Sequence, residues 1–229
     1  MKKLLFMLPL FLLVAVAHAQ DMSALVNKLK AKMEQVKDYQ ATGILKTDIA
    51  FIKAPVSKVK VYFKKPNRFR LVKDGGISIL PKGGLSVTLT NVVDIDNFVA
   101  LASGEAVVDG FPVKIVKVLP GDDNSELVLA TLYIDEKNLL VRKANITTRE
   151  NGSYEIGLTY GQYASYGLAD KVVFSFNTKN YKLPKGITLE FEDDAKVPEA
   201  DKLKNKKGKV EITYSGYIIN KGFDDSVFK

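Results

Sequence analysis

The chain has no cysteine and no tryptophan, and its one histidine is His18. Without cysteine there is no disulfide, no thiolate nucleophile and no thiolate metal ligand. The same absence closes the lipid-anchored route, since an exported lipoprotein needs a cysteine at its new N-terminus. His18 sits in a leader: Lys2 and Lys3 open it, an apolar run follows from Leu4 to Val16, and Ala17-His18-Ala19 is a small-x-small site before Gln20. That pattern predicts a secretory signal peptide over residues 1–19, too short and wrongly flanked for a stable membrane span. Its removal takes away the histidine, so residues 20–229 cannot assemble a Ser-His-Asp triad, a Cys-His dyad or a typical zinc site.

Long apolar runs are also missing. Beyond the leader, no segment reaches the roughly 18 uninterrupted apolar residues of a transmembrane helix. No glycine-rich phosphate loop is present, because Gly75-Gly76 and Gly83-Gly84 lack the following helix and lysine. The adjacent acids Asp122-Asp123, Asp193-Asp194 and Asp224-Asp225 lie in polar turn or loop contexts. Neighbours on an extended chain point to opposite faces, so these pairs do not converge as an acid and a base. No enzymatic activity, cofactor or metal is expected.

What the chain has is positive charge and alternation. Its 34 basic and 26 acidic residues give +8, and the two leader lysines, with no acid beside them, leave +6 on residues 20–229. The charge is dispersed and the chain is expected to be exported, so nucleic acid is not an expected partner. Anionic headgroups or acidic proteins suit it better.

Residues 21–37 read as one amphipathic helix. Met22, Leu25, Val26, Leu29, Met33 and Val36 form a continuous stripe, with Lys28, Lys30, Lys32 and Lys37 on the other faces. After Asp38 the period becomes two. Val59, Val61 and Phe63 alternate with lysines and Tyr62; Tyr154 to Tyr160, Ile187 to Phe191 and Val210 to Tyr214 alternate likewise. Each segment has one apolar and one wet face, as half-buried antiparallel strands require. Turns are predicted at Asp74-Gly75-Gly76, Asp109-Gly110, Asn151-Gly152 and Lys207-Gly208. Short helices are predicted around residues 88–102, and the lysine-rich stretch 193–209 reads as a long loop.

The expected fold class is mainly β with an α lid: an unclosed antiparallel β-barrel, or half-barrel, of about ten strands. An N-terminal amphipathic helix and short helices would cover its greasy concave side. Residues 20–229 would form this single domain. A small outer-membrane barrel is the rival, and the run from Leu127 to Ile134, apolar on both faces, speaks against a strand that lines a wet lumen.

One internal stretch carries more. Val61-Tyr62-Phe63-Lys64-Lys65-Pro66-Asn67-Arg68-Phe69-Arg70 is a strand ending in two lysines, a Pro-Asn turn and an aromatic-basic strand. With the preceding helix it resembles the periplasmic lipoprotein carriers of the LolA/LolB-like superfamily, in their outer-membrane lipoprotein-sorting branch. Leu132-Tyr133-Ile134-Asp135 followed by Leu140-Val141-Arg142-Lys143 is similar to a hairpin of that family, and Tyr217 to Gly222 to its terminal strand.

The resemblance implies a soluble, monomeric periplasmic carrier or chaperone with an acylated lipoprotein or another lipid as cargo. An inner-membrane donor complex and an outer-membrane acceptor would be its further partners. It implies a cavity lined by Val59, Val61, Phe63, Phe69, Leu71, Ile77 and Ile79, under a lid helix presenting Leu25, Leu29, Met33 and Val36. It also implies a latch at Lys65, the basic residue before the turn proline, hydrogen-bonding to lid backbone. The alternative is a periplasmic sensor or adaptor that uses the same half-barrel to bind a lipid or protein signal.

Overall fold

The sheet is built largely from segments that alternate with period two, and the one α-helix among the described residues from a segment that does not. The computed structural model describes residues 21–49, 56–66, 68–73, 97–181 and 207–228. The leader, Ile77, Ile79, the predicted strand at 187–191 and residues 193–206 of the lysine-rich stretch lie outside them.

The helix α1 runs over Ser23–Met33, with Leu25, Val26 and Leu29 buried. Its first turn is held by the Asp21 carboxylate, which accepts the Ser23 N–H at 2.8 Å, and Lys30 and Lys32 face the negative end of its dipole. It is shorter than the 21–37 stripe predicts. Glu34 and Gln35 form a turn, and Val36 remains only 3% exposed after the helix has ended. The chain must redirect there to enter the sheet.

Ten strands follow among the described residues: β1 (Asp38–Ile49), β2 (Ser57–Lys64), β3 (Arg68–Lys73), β4 (Phe98–Val108), β5 (Phe111–Pro120), β6 (Leu127–Asp135), β7 (Leu140–Thr148), β8 (Gly152–Thr159), β9 (Lys171–Tyr181) and β10 (Lys207–Ile219). They form one antiparallel sheet in the order β3-β2-β1-β10-β9-β8-β7-β6-β5-β4. The edge strands β3 and β4 are not paired with each other, so the barrel is open. The first and last of these strands pair inside the sheet, third and fourth from the β3 edge, with Tyr39 opposite Ile219 and Ile49 opposite Gly208.

The inward residues form a single apolar cluster. It joins Tyr39, Ala41 and Leu45 of β1 to Val59, Val61 and Phe63 of β2, continues through Ile212, Phe174, Ile156, Ile146 and Leu132, and includes the stripe of α1. Thr42, Lys46, Lys58, Lys60, Lys209 and Thr213 are exposed on the opposite face. A membrane barrel has the inverse arrangement, with its apolar band outward.

Three local expectations are corrected. Residues 98–102 belong to β4, not to a short helix: a register shift between Ala102 and Glu105, with Gly104 at φ 110°, hides the strand's alternation. Lys207-Gly208 is the start of β10 rather than a turn. Gly208 is needed there because a Cβ would run into the Phe176 ring. β6 is buried on one face only, since a shift between Leu127 and Leu129 leaves Val128 at 42% exposure. Asp109-Gly110 does form the β4–β5 turn, with φ of 50° and 82°, the positive pair that a tight hairpin needs.

Candidate functional site

The concave face and the helix seated on it form the candidate site. Leu25 and Leu29 of α1 are 6% and 2% exposed, and Met33 is half-buried against the same cluster. Of the wall residues, Val59, Val61 and Phe63 are buried, while Phe69 and Leu71 pack against the cluster from the open edge. The structure therefore brings every described residue of the predicted wall and lid face into one apolar body.

That body is filled. At the C-terminal end of α1 a cavity of about 50 Å³ remains, lined by residues including Met33, Val36, Tyr39, Phe63, Lys65, Leu168, Val172 and Tyr217. Sites for drug-sized ligands are typically about 300–1,000 Å³. With α1 seated, its apolar stripe covers the concave face among the described residues.

Aromatic side chains frame the cavity. Tyr39 stacks on Phe63 at 5.3 Å and meets Tyr217 edge-on at 5.4 Å. The Tyr217 hydroxyl donates to the Ala169 carbonyl at 2.7 Å. Burial pushes its pKa far up, and the neighbouring Tyr214, Tyr39, Asp170 and Tyr160 push the same way, so it stays a neutral donor.

The helix is held differently at its two ends. At the start, the Met22 N–H donates to the Ala100 carbonyl at 2.9 Å, and Asp21 bridges Leu101 on the edge strand β4. At the end, Asn220 clamps the link to β1: its Nδ2 donates to the Gln35 carbonyl at 2.8 Å and its Oδ1 accepts the Lys37 N–H at 2.7 Å. The first attachment runs through Asp21 and Met22 to β4. The second is the covalent entry to the sheet.

Lys65 lies at the cavity, but its ammonium forms no hydrogen bond with the described residues, so the expected latch is not made in this structure. Its backbone N–H instead donates to the Lys37 carbonyl at 2.9 Å. The side chain that does reach across from the helix is Lys32, whose Nζ donates to the Asn138 carbonyl at 2.7 Å. Burial lowers the Lys32 pKa, and the nearby Asp135 partly restores it. Asp135 also accepts the backbone N–H and the Nδ2 of Asn138 at 3.1 and 2.8 Å, which shapes the turn that receives the lysine.

The basic residues around the Pro-Asn turn do other work. Lys64 and Arg68 both bind Asp225, at 2.7 and 2.5 Å, and the Arg68 guanidinium lies 4.3 Å over the Phe228 ring. With Phe223 against Tyr62, the C-terminal turn is clasped onto the outside of the β2–β3 hairpin. The signal for this was present in the sequence as Asp225 and Phe228 near the terminus, but alternation alone does not pair them with residues far back in the chain.

The described carboxylate pairs do not form a cleft. Asp122 accepts the Asn124 N–H and Asp224 the Ser226 N–H, each within its own turn. Among the described residues, no three ligand-type side chains converge as a metal site would require. No described helix is long and apolar enough to cross a membrane.

No protein-family model matches the chain, and no curated protein matches its sequence. Solved structures do match. A domain from Vibrio parahaemolyticus, named for outer-membrane lipoprotein sorting, superposes with a TM-score of 0.58 at 13% identity, over 90% of this chain and 95% of its own. A LolA superfamily protein from Nitrosomonas europaea gives 0.51 at 6% identity, over 92% and 98%. The chain has the LolA-like fold. A DUF1329 family protein from Desulfovibrio piger shares it, at TM-score 0.55 and 14% identity over 92% and 98%. At these identities the likeness establishes the LolA-like architecture, and the chemistry of the site must be argued from this chain's own residues.

Proposed function

We propose that the protein is an exported periplasmic carrier. It takes the acyl chains of a lipoprotein, or another lipid, onto the concave face beneath α1 and moves them towards the outer membrane without chemical change. The observation that carries this reading is the apolar face itself, continuous across an open sheet and covered by a helix whose start is tied to β4 through Asp21 and Met22. The LolA-like fold and the name of the Vibrio parahaemolyticus domain support it.

The energetics fit. An acyl chain in water costs about 0.8 kcal/mol per methylene, so a sixteen-carbon chain is disfavoured by roughly ten kcal/mol or more. Unassisted transfer across an aqueous space is then negligible, and a carrier needs only an apolar surface that can be opened and shut. In this reading the displaced helix exposes Val59, Val61, Phe63 and Leu71 as one wall. The same helix, competing for that wall, keeps cargo affinity low enough for release.

Mass spectrometry of protein purified from its own periplasm, without detergent, tests the proposal. The expected result is a co-purifying acylated protein or lipid, and uptake of fluorescent fatty acid after delipidation. Absence of both would overturn the carrier and favour a sensor or adaptor that binds a protein.

A further inference from the structure

The outer face of β1–β3 is an ordered array rather than a random basic surface. Antiparallel register sets Lys58 beside Ile44, and Lys60 between Thr42 and Val72. Lys46 follows Ile44 on the same face of β1, and Val56 precedes Ser57, which pairs with Leu45. Lys46, Lys58 and Lys60 are exposed, and so are Ile44 at 41%, Val72 at 41% and Val56 at 62%. Side chains two apart on a strand are about 7 Å apart. Lys58 and Lys60 are therefore within one Debye length, roughly 8 Å at physiological ionic strength, and Lys46 lies about that far from Lys58 across the strands, so neighbouring charges act together.

Among the described residues, few acids face this array. From Gln40 to Lys46 on β1, and along β2 and β3, the outward residues include none. Asp38 lies at the start of β1, and Asp48 is exposed on the outward face two residues beyond Lys46, so the positive charge is least compensated at Lys58 and Lys60. Glu211 stands opposite Lys46 on β10, but it is already bound by Lys171 and Lys209. Asp225 is taken by Lys64 and Arg68. Beside Lys60 the face continues into an open groove of about 240 Å³ walled by Tyr62, Arg70 and Val72.

We propose that this face docks the protein on an anionic bilayer surface. Lys46, Lys58 and Lys60 would lie at headgroup level, with Ile44 and Val72 between them against the acyl boundary. A polyanion such as nucleic acid gives exposed isoleucine and valine nothing to bury against. A lipid interface gives both classes of side chain a partner, and long lysine stems let the charge reach the headgroups while apolar neighbours sink. The inference stands apart from the carrier reading, because it concerns the convex face and requires no cargo.

Vesicle flotation with the purified protein tests it. The expected result is binding to phosphatidylglycerol–phosphatidylethanolamine vesicles and not to phosphatidylcholine, weakening as salt rises. Each lysine removed is expected to cost about fivefold in partitioning, so K46Q/K58Q/K60Q should lose about a hundredfold. The control K28Q/K117Q/K137Q removes equal charge elsewhere and should bind much as the parent does. All these lysines but Lys28, on the exposed side of α1, are on outer sheet faces or turns, and circular dichroism melts check that both triples fold. Equal loss in the two triples, or no flotation of the parent at low salt, would overturn the proposal. Binding to immobilised polyglutamate without vesicle binding would also overturn it, in favour of an acidic protein.

Discussion

Arg142 and Asp135 form an ion pair inside the core at the β6–β7 turn, with guanidinium nitrogens 2.7 and 3.2 Å from one carboxylate oxygen. Their side chains are only 6% and 4% exposed. The guanidinium also lies 3.5 Å over the Phe111 ring. Removing one partner strands the other charge in a poor solvent. Arg142→Met is expected to lower stability by about 3–5 kcal/mol in a urea melt, and Asp135→Asn with Arg142→Met to recover much of that loss. A double variant that loses the sum of the two single losses would show that the two residues act independently.

The same pair sets a pH dependence. Burial pushes the Asp135 carboxyl up, but hydrogen bonds from Asn138 and Arg142 outweigh it, so its pKa lies below the ordinary value. A depressed folded-state pKa gives stability that is complete above the unfolded value, about 3.9, and is lost as pH falls through the folded one. Denaturant melts are expected to weaken below about pH 4, and Asp135→Asn to flatten that part of the profile. An unchanged slope would assign the acid sensitivity to other carboxylates.

Leu29 is 2% exposed on the buried face of α1. Leu29→Ala removes about 3 kcal/mol of packing. If the helix is a separable cover, amide exchange in α1 should accelerate by about a hundredfold, while β9 and β10 keep their protection. Equal acceleration in those central strands would make α1 part of one cooperative core.

The bridge between Asp21 and Leu101 is a natural place for a lock, because cross-strand partners lie about 4.5–5.5 Å apart at Cα. The chain has no cysteine of its own, so Asp21→Cys with Leu101→Cys supplies the one possible disulfide. Oxidised protein is expected to take up no fluorescent fatty acid and reduced protein to regain uptake. Uptake that ignores the redox state would mean cargo does not enter by release of the start of α1.

Much of this architecture is legible as periodicity. Val59, Val61 and Phe63 face inward as alternation predicts, and the stripe of α1 covers them. Legibility fails where one residue breaks the period, as at Gly104 in β4, or where a glycine makes room for a ring, as Gly208 does for Phe176. The buried ion pair left a trace that alternation could have exposed. Arg142 shares the inward face with Ala144 and Ile146, and a cation at such a position demands a buried acid. The clasp at Asp225 left its residues in view but not their partners, because it joins segments 157 residues apart.

The position of β1 beside β10 has a kinetic consequence. This interior ladder joins the first described strand to the last, so it cannot zip until nearly the whole chain is available. Loop closure over such a span precedes any reward from the contacts it brings, and topologies of this kind fold slowly. Until β10 arrives, the inward edges of β1 and β9 are both unpaired, with apolar faces bare. A chain with this order of assembly spends its early life extended and adhesive, and depends on not meeting its own kind before the last strand closes the gap between β1 and β9.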